Sequence, residues 1–355
     1  MNAKPRLLSL IFEVTQRCNH ACLHCYNVWQ GEPPSPPIHY PRGELDTPRT
    51  LHLLTKALDE TKCHHVTLTG GEPLLRADLP ILLDYLRERN IQVTIISNGR
   101  LLKEQTAVSL IEHGVALFEL PLLSHQREIH DRLSAAPRAW DSVLAAMTHV
   151  RLQRGQVVTA FVGTRLNIGH LYETIKLAFA FGARAVMFNR FNPGGRGRTH
   201  LNELLPSVEQ VREALTVADS ASVEFGIPIS CSIPIQPCLI DTSAFPHLGF
   251  GYCAAGSERA YFTLDPLGNV RPCNHSTTIL GNLFEESFGD LVSPERLKGF
   301  VNALPAICTP CEKRAVCQGG CKAAAQVCYG SLDAMEPFLR QGQYVRLYQP
   351  AESTL

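Results

Sequence analysis

Short apolar runs alternate with longer amphipathic segments over the first half of the chain. Between the runs, apolar residues at helical spacing predict helices such as Leu79–Arg89, Ala139–Arg154 and Ile168–Phe181. Strands that alternate with helices of this length favour a parallel sheet. Six strand–helix units favour a partial (β/α)6 TIM-like barrel over a full eight-stranded one. The runs themselves, rich in β-branched and aromatic residues, predict strands at 7–14, 64–69, 91–97, 116–120, 157–164 and 184–189.

The unusual loops of this region each follow a predicted strand. "CNHACLHCY" (18–26) follows the first strand, "GGEP" (70–73) the second, "SNG" (97–99) the third and "RFNPGGRGR" (190–198) the sixth. Parallel α/β folds build their active sites at the C-terminal ends of the strands. We therefore expect these loops to meet at one mouth of the barrel.

The pattern changes after Gly226. The segment "GIPISCSIPIQPCLI" (226–240) is interrupted by prolines, and the rest of the chain carries only short strand or helix signals. We predict a boundary between a domain at 1–225 and a second, Cys-rich domain at 226–355. Earlier in the chain, "GEPPSPPIHYP" (31–41) predicts a proline-rich surface loop.

Composition excludes several classes of protein. Lys plus Arg equals Asp plus Glu at 33 each, so no excess charge recruits nucleic acid or an anionic membrane. The N-terminal apolar run is too short for a signal peptide, and no later run is long enough to span a membrane. We expect a cytoplasmic protein that binds neither nucleic acid nor membrane.

Thirteen cysteines are out of place as disulfides in a reducing cytosol, and clustered thiols there usually bind metal. Soft thiolates select zinc or an iron–sulfur cluster. Cys18, Cys22 and Cys25 lie in one tight loop, where His20 or His24 would be cramped as a fourth zinc ligand. A four-iron cubane needs four outer ligands, so three cysteines leave one iron open. We expect a small molecule to complete the coordination of that iron.

The loop resembles the radical S-adenosylmethionine (radical SAM) superfamily, whose signature Cys-x3-Cys-x2-Cys matches Cys18, Cys22 and Cys25. The family's aromatic residue is shifted, since His24 precedes the last cysteine and Tyr26 follows it. In that family the amino and carboxylate groups of the cofactor chelate the open iron. Reductive cleavage then gives a 5′-deoxyadenosyl radical, which abstracts hydrogen from the substrate.

The resemblance also implies which residues contact S-adenosylmethionine. "GGEP" contacts the amino group of the methionine, with the carboxylate of Glu72 or exposed carbonyls receiving the ammonium. "TRLN" (164–167) resembles the stretch that contacts ribose, and Arg132 is a candidate partner of the methionine carboxylate. Ser97 and Asn98 of "SNG" are further candidates, with an ordinary Asn-Gly turn as the alternative. For Arg132 the alternative is a position on the helix surface, because an arginine that the family often places two residues later is Ser134 here. The implied cofactor site comprises Gly70, Gly71, Glu72, Pro73, Ser97, Asn98, Arg132, Thr164 and Asn167.

Seven C-terminal cysteines resemble the SPASM domain, which carries auxiliary [4Fe–4S] clusters in a subset of radical SAM enzymes. The family pattern implies one auxiliary cluster on Cys308, Cys311, Cys317 and Cys328. It implies a second, nearer the barrel, on Cys253, Cys273 and Cys321. A further cysteine of some members is Arg259 here, so this inner cluster keeps an open iron or borrows Cys231 or Cys238. The alternative is a zinc ribbon on Cys308, Cys311, Cys317 and Cys321.

The implied activity is that of a radical SAM/SPASM maturase. Such an oxidoreductase crosslinks, epimerises or oxidises a ribosomally synthesised peptide (RiPP). The first alternative is a dehydrogenase of the same build that acts on a protein side chain or small molecule, as in sulfatase activation. A remote alternative is a non-enzymatic zinc or iron–sulfur scaffold, which needs neither an open iron nor a "GGEP" loop.

The implied partners are a peptide substrate and a flavodoxin- or ferredoxin-type electron donor. Because the barrel is predicted to begin about ten residues from the N-terminus, we expect a leader-binding module to be a separate protein, unless the enzyme's own surface binds the leader. Arg190 or Arg196 is a candidate for binding a substrate carboxylate, with a basic interdomain turn as the alternative. Glu119, His125 and His130 are candidates for a general base, with a structural or solvated side chain as the alternative for each, and the sequence does not select among them.

Overall fold

A single mixed sheet organises the chain. A computed structural model describes residues 7, 9–30 and 40–347, and most of the predicted proline-rich loop, 31–39, lies outside them. The described strands form one eleven-stranded sheet in the order β11-β10-β9-β1-β2-β3-β4-β5-β6-β7-β8. Its central six are the predicted strands: β1 (Leu10–Thr15), β2 (His65–Gly70), β3 (Gln92–Ile96), β4 (Val115–Pro121), β5 (Val157–Gly163) and β6 (Ala185–Arg190).

Strands β1 to β6 are parallel neighbours in chain order, which confirms the predicted (β/α)6 arrangement. Helices connect them, as parallel pairing requires. The three predicted helices are α2, α5 and α6 of the following list. The helices of this region are α1 (Thr47–Thr61), α2 (Leu79–Glu88), α3 (Glu104–Glu112), α4 (Arg127–Ser134), α5 (Ala139–Leu152), α6 (Leu171–Ala180), α7 (Leu201–Leu204) and α8 (Val208–Phe225).

Local sequence signals set the ends of the longest helices. Before α1, the Asp46 side chain accepts a hydrogen bond from Arg49 N at 2.9 Å. Helix α8 begins with a capping box between Ser207 and Gln210, and it ends at Gly226 in the left-handed conformation with φ 62°. The change of pattern noted in the sequence at Gly226 therefore coincides with a helix end.

The sheet has one face packed on the helices and one face that lines the mouth. In β4, Phe118 and Leu120 are fully buried in the main hydrophobic core together with apolar residues of α5. Glu119 lies between them on the opposite face and is only half-buried. The same alternation continues in β5, where Phe161 is buried and its neighbours Ala160 and Val162 are half-buried. This second face is where chemistry-bearing side chains can meet a ligand.

Residues after 226 extend the sheet at both of its edges. Beyond β6 the parallel order continues with β7 (Ile229–Cys231) and β8 (Leu248–Phe250). On the other side, β9 (Phe262–Leu264) pairs parallel with β1 and is followed by the antiparallel β10 (Asn269–Arg271) and β11 (Gly281–Asn282). The domain boundary at 226 stays a prediction, and the hydrogen-bonded sheet runs across it.

Two buried ion pairs join the C-terminal part to the barrel. Arg271 of β10 pairs with Glu13 of β1, and Arg190 of β6 donates to Glu336 Oε1 at 2.7 Å. Breaking a buried pair by removing one partner typically costs about 3–5 kcal/mol, so both pairs fix the relative position of these segments. The remaining helices are α9 (Phe288–Leu291), α10 (Pro294–Val301), α11 (Arg314–Cys317), α12 (Lys322–Tyr329) and α13 (Pro337–Leu347). Among the described helices, none has the length and apolar character of a membrane span.

Candidate functional site

The first three cysteines lie in a loop that directly follows β1. Cys25 N donates to Cys22 O at 3.2 Å, and His20 N donates to Cys18 Sγ at 3.5 Å. Burial raises the pKa of Cys25 to about 11 and also raises those of Cys22 and Cys18. The Cys18 thiol raises the pKa of Cys25 further, and the Cys25 and Cys18 thiols raise that of Cys22. A bound cation is therefore needed to hold all three as thiolates at neutral pH.

The glycines of "GGEP" bring the second loop against the cysteine loop. Gly71 N donates to Thr15 O at 2.8 Å, and Glu72 N donates to Arg17 O at 2.8 Å, just before Cys18. A Cβ built at Gly70 would lie 2.3 Å from Thr15 O, and one at Gly71 would lie 2.0 Å from Arg17 O. The family resemblance placed these glycines in the cofactor site. The structure shows that they first admit the backbone that carries the cysteines.

Glu72 joins the loops after β2 and β3. Its carboxylate accepts hydrogen bonds from Ser97 Oγ at 2.9 Å, Asn98 N at 2.8 Å and Leu74 N at 3.1 Å. Burial raises the pKa of this fully buried carboxyl to about 7, and the three donors oppose that rise. The Glu72 carboxylate is thus held by the protein, as are the carbonyls of Gly70, Glu72 and Pro73, which accept from Asn27 Nδ2, Leu75 N and Arg76 N.

Asn98 and two asparagines that the sequence analysis missed complete the connection between the loops. Asn98 Nδ2 donates to Asn19 Oδ1 at 2.7 Å and lies 4.0 Å from Cys18 Sγ. Asn27 Nδ2, just after the last cysteine, donates to Gly70 O at 2.6 Å. The positions of Asn19 and Asn27, one and two residues after a cysteine, were visible in the sequence. Their partners, 43 or more residues away, were not.

The glycine-rich loop after β6 wraps the other side of the cysteine loop. Gly197 N donates to Cys25 O at 2.9 Å, and a Cβ built at Gly195, where φ is +42°, would lie 2.3 Å from Asn27 O. Arg196 donates to Gln30 Oε1 at 3.0 Å. The loops after β1, β2, β3 and β6 therefore meet at one mouth, as predicted.

Arg190 does not occupy the predicted substrate-facing position. It is 1% exposed, donates to Pro234 O at 2.9 Å and to Glu336 at 2.7 Å, and stacks its guanidinium over the ring of Phe338. The prediction that Arg190 binds a substrate carboxylate is wrong, because its guanidinium is already paired with the carboxylate of Glu336. Sequence alone gave no sign of Glu336, which lies 146 residues further along the chain.

Arg132 is likewise placed on the surface. It lies on α4, with its side chain 54% exposed, and donates to Glu203 Oε1 at 2.7 Å. This corresponds to the helix-surface alternative, and the contact with the methionine carboxylate stays a prediction. Exposed ion pairs of this kind contribute at most about 1 kcal/mol, so the pair carries little of the fold's stability.

Thr164 and Asn167 are buried and bonded to each other. Thr164 N and Oγ1 both lie 2.7 Å from Asn167 Oδ1, which accepts from them. Asn167 Nδ2 donates to Leu123 O at 2.6 Å and to Val162 O at 3.0 Å, which joins the ends of β4 and β5. Their side chains shape the loop after β5, and a ribose contact from this stretch would have to come from its backbone or its neighbours.

A second group of thiols lines a cavity beside the barrel. Cys253, Cys273 and Cys321 border this cavity together with Tyr261 and His275. Burial raises the pKa of Cys273 to about 12, and the thiols of Cys321 and Cys253 raise it further. The structure thus brings together the three cysteines that the family pattern assigned to the inner group.

Aromatic and amide side chains connect this cavity to the first cysteine loop. Tyr26 stacks on His275 with ring centroids 4.2 Å apart, and Asn192 Nδ2 lies 3.3 Å from both His275 Nδ1 and Cys321 Sγ. Asn274 Nδ2 also donates to the Tyr26 hydroxyl at 3.1 Å. Tyr26 directly follows Cys25, so a short chain of contacts links the two groups of thiols.

The zinc-ribbon alternative does not fit this arrangement. Its proposed fourth ligand, Cys321, lies with Cys253 and Cys273. Over residues 7, 9–30 and 40–347, no set of three or more His, Cys, Asp or Glu side chains converges as a single ion requires. In a four-iron cluster each thiolate binds a different iron, so the thiols need not converge on one point. The arrangement therefore fits an iron–sulfur cluster better than a single zinc ion.

Comparison with known families agrees with these two thiol groups. Residues 12–178 match the radical SAM superfamily, and residues 253–317 match SPASM, an iron–sulfur cluster-binding domain. The chain is a radical SAM protein with a SPASM domain. The cofactors expected from the sequence, S-adenosylmethionine and [4Fe–4S] clusters, are thereby confirmed.

Relatives of this radical SAM protein are similar over nearly its whole length. A protein of Granulibacter bethesdensis named PqqA peptide cyclase is 26% identical over 341 residues, which cover 93% of this chain and 86% of that protein. The PqqA peptide cyclase of Rhizobium meliloti is 27% identical over 344 residues, covering 94% and 88%.

Solved structures support the fold of this radical SAM protein. Streptococcus suis SuiB bound to its precursor peptide SuiA superimposes with a TM-score of 0.72 at 15% identity, over 94% of this chain and 76% of that one. The structure of anSMEcpe with bound AdoMet gives a TM-score of 0.70 at 19% identity, over 97% and 92%. The predicted fold class, a partial barrel with a C-terminal SPASM domain, is therefore confirmed.

The general-base candidates have different surroundings in the radical SAM domain. Burial lowers the pKa of His130 to about 3, and its Nδ1 accepts a hydrogen bond from Leu123 N at 3.2 Å. His125 makes an edge contact with His170 at 5.3 Å. Glu119 instead lies on the mouth-lining face of β4, where burial raises its pKa to about 7 and its charge acts on Tyr26. Of the three candidates, Glu119 is the one whose raised pKa of about 7 suits proton transfer at neutral pH.

Proposed function

We propose that this protein modifies a ribosomally synthesised peptide by radical chemistry. The observation that carries the proposal is the likeness to PqqA peptide cyclases, which extends over 93–94% of the chain and includes both domains. The fold likeness to SuiB, whose structure was solved with its precursor peptide, agrees with a peptide substrate. Because those relatives are named cyclases, we favour formation of an intramolecular crosslink over epimerisation or simple oxidation.

The residues of the mouth have separate tasks in this reaction. When bound, S-adenosylmethionine supplies a 5′-deoxyadenosyl radical on reduction, which removes hydrogen from an unactivated C–H bond. Cys18, Cys22 and Cys25 are the thiolates that would hold the N-terminal cluster. Glu72 keeps the loops after β2 and β3 in register with the cysteine loop, through the contacts given above. We assign the cofactor's ammonium group to the backbone carbonyls of the "GGEP" turn.

Two partners belong to this proposal. Reductive cleavage consumes one electron, so a flavodoxin- or ferredoxin-type donor is needed. We also propose that the leader of the peptide is bound by a separate protein or by this enzyme's own surface. The stacked pair of Tyr26 and His275 lies between the two thiol groups, which suits electron passage between them during turnover.

The decisive experiment uses the short open reading frame that neighbours the gene. The peptide it encodes is incubated anaerobically with the reconstituted enzyme, S-adenosylmethionine and a reductant, and the product is analysed by tandem mass spectrometry. We expect the loss of two hydrogens and the absence of backbone fragments between the two joined residues. Loss of two hydrogens with full fragmentation would instead show side-chain oxidation. An unchanged mass with deuterium uptake from the solvent would show epimerisation. No change to any encoded peptide, with normal cleavage of the cofactor, would contradict the proposal.

Glu119 gives this reaction a predicted pH dependence. If it accepts the proton that leaves the substrate, product formation should rise with pH as Glu119 deprotonates around its pKa of about 7. Glu119→Gln should remove that rise and lower the rate of peptide modification by roughly 10²-fold or more, the usual contribution of a general base. Cleavage of S-adenosylmethionine without peptide should change little.

The same variant has a readout that does not depend on turnover. The raised pKa means that protonated Glu119 favours the folded state, and this contribution is lost as pH rises from about 4.5 to about 7. Glu119→Gln should therefore flatten the decline of thermal stability over that range. His125→Gln, at a half-buried site on the surface of the same region, is the matched control. A Glu119 variant with an unaltered pH–rate profile would exclude the role of base.

A further inference from the structure

Cys238 interacts with two cysteines of the outer group, Cys308 and Cys317. Burial raises the pKa of Cys308 to about 11, and the neighbouring thiols that raise it further are, in decreasing order, Cys317, Cys238 and Cys311. Burial also raises the pKa of Cys317, with Cys238 contributing more than Cys311. The Cys238 thiol therefore interacts electrostatically with both Cys308 and Cys317, as the Cys311 thiol does.

The backbone around Cys238 packs directly on the loop that contains Cys317. Leu239 N and Ile240 N donate to Gln236 O at 2.9 and 3.1 Å, which forms a turn with Cys238 at its tip. The Gln236 side chain lies against the turn that follows Cys317, where a Cβ built on Gly320 would be 2.1 Å from Gln236 Nε2. The tip of this turn is therefore held at the outer thiol group by contacts that do not involve the thiols themselves.

Further contacts fix the two ends of the same turn. Gln236 Nε2 donates to Glu336 Oε1, which also accepts from Cys321 N at 2.9 Å. At the other end, Ser243 and, more weakly, Lys313 lower the pKa of Asp241, and Lys313 lies in the loop between Cys311 and Cys317. The segment from 236 to 241 thus interacts with residues 313–320, which include Cys317, at both of its ends.

Cys328, which the family pattern placed in the outer group, has other neighbours. It lies in the last turn of α12, seven residues after Cys321, which is the residue that precedes the helix. Burial raises the pKa of Cys328 to about 12, and the charges near it include Arg198, Glu336 and Cys321.

We propose that the outer auxiliary cluster is held by Cys238, Cys308, Cys311 and Cys317, with Cys238 in the place that the seven-cysteine pattern gives to Cys328. Four thiolates complete the outer shell of a four-iron cluster. Cys253, Cys273 and Cys321 then remain as the inner group. The assignment does not depend on the peptide substrate proposed above, because iron content reports it without turnover.

The first test compares full-length variants after anaerobic reconstitution. Cys238→Ser and Cys311→Ser should each lose about four irons per chain, or convert the outer cluster to a three-iron form with a new signal in the oxidised electron paramagnetic resonance spectrum. The double variant should lose no more iron than the more affected single variant, because both residues serve one cluster. Cys328→Ser and the control Cys63→Ala should keep the parental iron content and spectrum. The proposal is overturned if Cys328→Ser reproduces the Cys311→Ser result and Cys238→Ser matches Cys63→Ala.

A second measurement avoids substitutions at the cluster altogether. Cys238 is exposed, so iodoacetamide should alkylate it rapidly in the iron-free protein. In the reconstituted protein we expect the alkylation rate of Cys238, followed by peptide mass spectrometry, to fall at least tenfold, in parallel with that of Cys311. An equal rate for Cys238 with and without iron, while Cys308, Cys311 and Cys317 are protected, would also overturn the assignment.

Discussion

Replacing Cys18, Cys22 and Cys25 together by alanine should abolish formation of 5′-deoxyadenosine and leave the auxiliary iron in place. These thiols are the ligands that the loop after β1 offers to the N-terminal cluster, and the auxiliary thiols belong to separate groups of residues. If all three clusters form, the parent protein should contain about eleven or twelve irons per chain and the variant about four fewer. The readouts are iron and sulfide content and anaerobic cleavage of S-adenosylmethionine by dithionite-reduced protein.

Cys63→Ala is the matched control for this experiment. Cys63 lies just before β2, 3% exposed in the main core, and its Sγ is 2.9 Å from His65 O. Its replacement should cost some stability through lost packing but leave both iron content and cofactor cleavage unchanged. Cleavage that persists in the triple variant would show that the first cluster was wrongly assigned. A parent protein with about four irons would exclude the auxiliary clusters.

The barrel could be predicted from the sequence because its strands and helices follow regular periods. β1 to β6 fall on the six predicted apolar runs, and the helices α2, α5 and α6 end within two or three residues of their predicted positions. The short strands β7 to β11 could not be predicted in this way. Each has two or three residues, too few for an alternating pattern to appear, and they are defined by pairing with strands distant in the sequence.

The position of the candidate site could also be predicted, since loops at the C-terminal ends of parallel strands must meet. The roles of individual side chains were less accessible. Glu72 was offered to a ligand, but it is bound by Ser97 and Asn98 of the next loop. Arg190 was a candidate for binding a substrate carboxylate, but its guanidinium donates a hydrogen bond to the carboxylate of Glu336. In each case the partner lies 25 or more residues away, where no local spacing reveals it.

The cysteines illustrate the same limit. Spacing identified the tight groups, because Cys-x2-Cys and Cys-x3-Cys place thiols on a single loop. It could not assign Cys238, which reaches the outer group only because its turn packs against Gly320. Cys328 is closer than Cys238 to Cys317 in the sequence. It lies in α12, however, where the charged groups near it include Arg198, Glu336 and Cys321. Sequence distance is therefore a poor guide to cluster membership once a rigid helix intervenes.

Gly71→Ala is expected to have the second largest effect, although it removes no ligand and changes no charge. The new Cβ would lie 2.0 Å from Arg17 O and 2.5 Å from Arg17 C, both backbone atoms that no side-chain rotation can move away. Relief requires the "GGEP" turn and the cysteine loop to separate, which breaks the hydrogen bonds of Gly71 N and Glu72 N at 2.8 Å. We expect a loss of about 3 kcal/mol in the free energy of unfolding.

The loss should be concentrated at the N-terminal cluster. Because the displaced segment leads directly into Cys18, the variant should bind about four fewer irons and cleave S-adenosylmethionine at least 10²-fold more slowly, while circular dichroism reports an intact barrel. Gly299→Ala is the control: it lies on α10 with nothing within 4 Å of its built Cβ, so it should be neutral or stabilise the protein by up to about 1 kcal/mol. A Gly71 variant with parental iron content and cleavage rate would mean that the contact between the two loops does not position the cysteines. The mouth would then have to be held by the glycine-rich loop after β6, whose Gly197 N bonds the backbone of Cys25 from the opposite side.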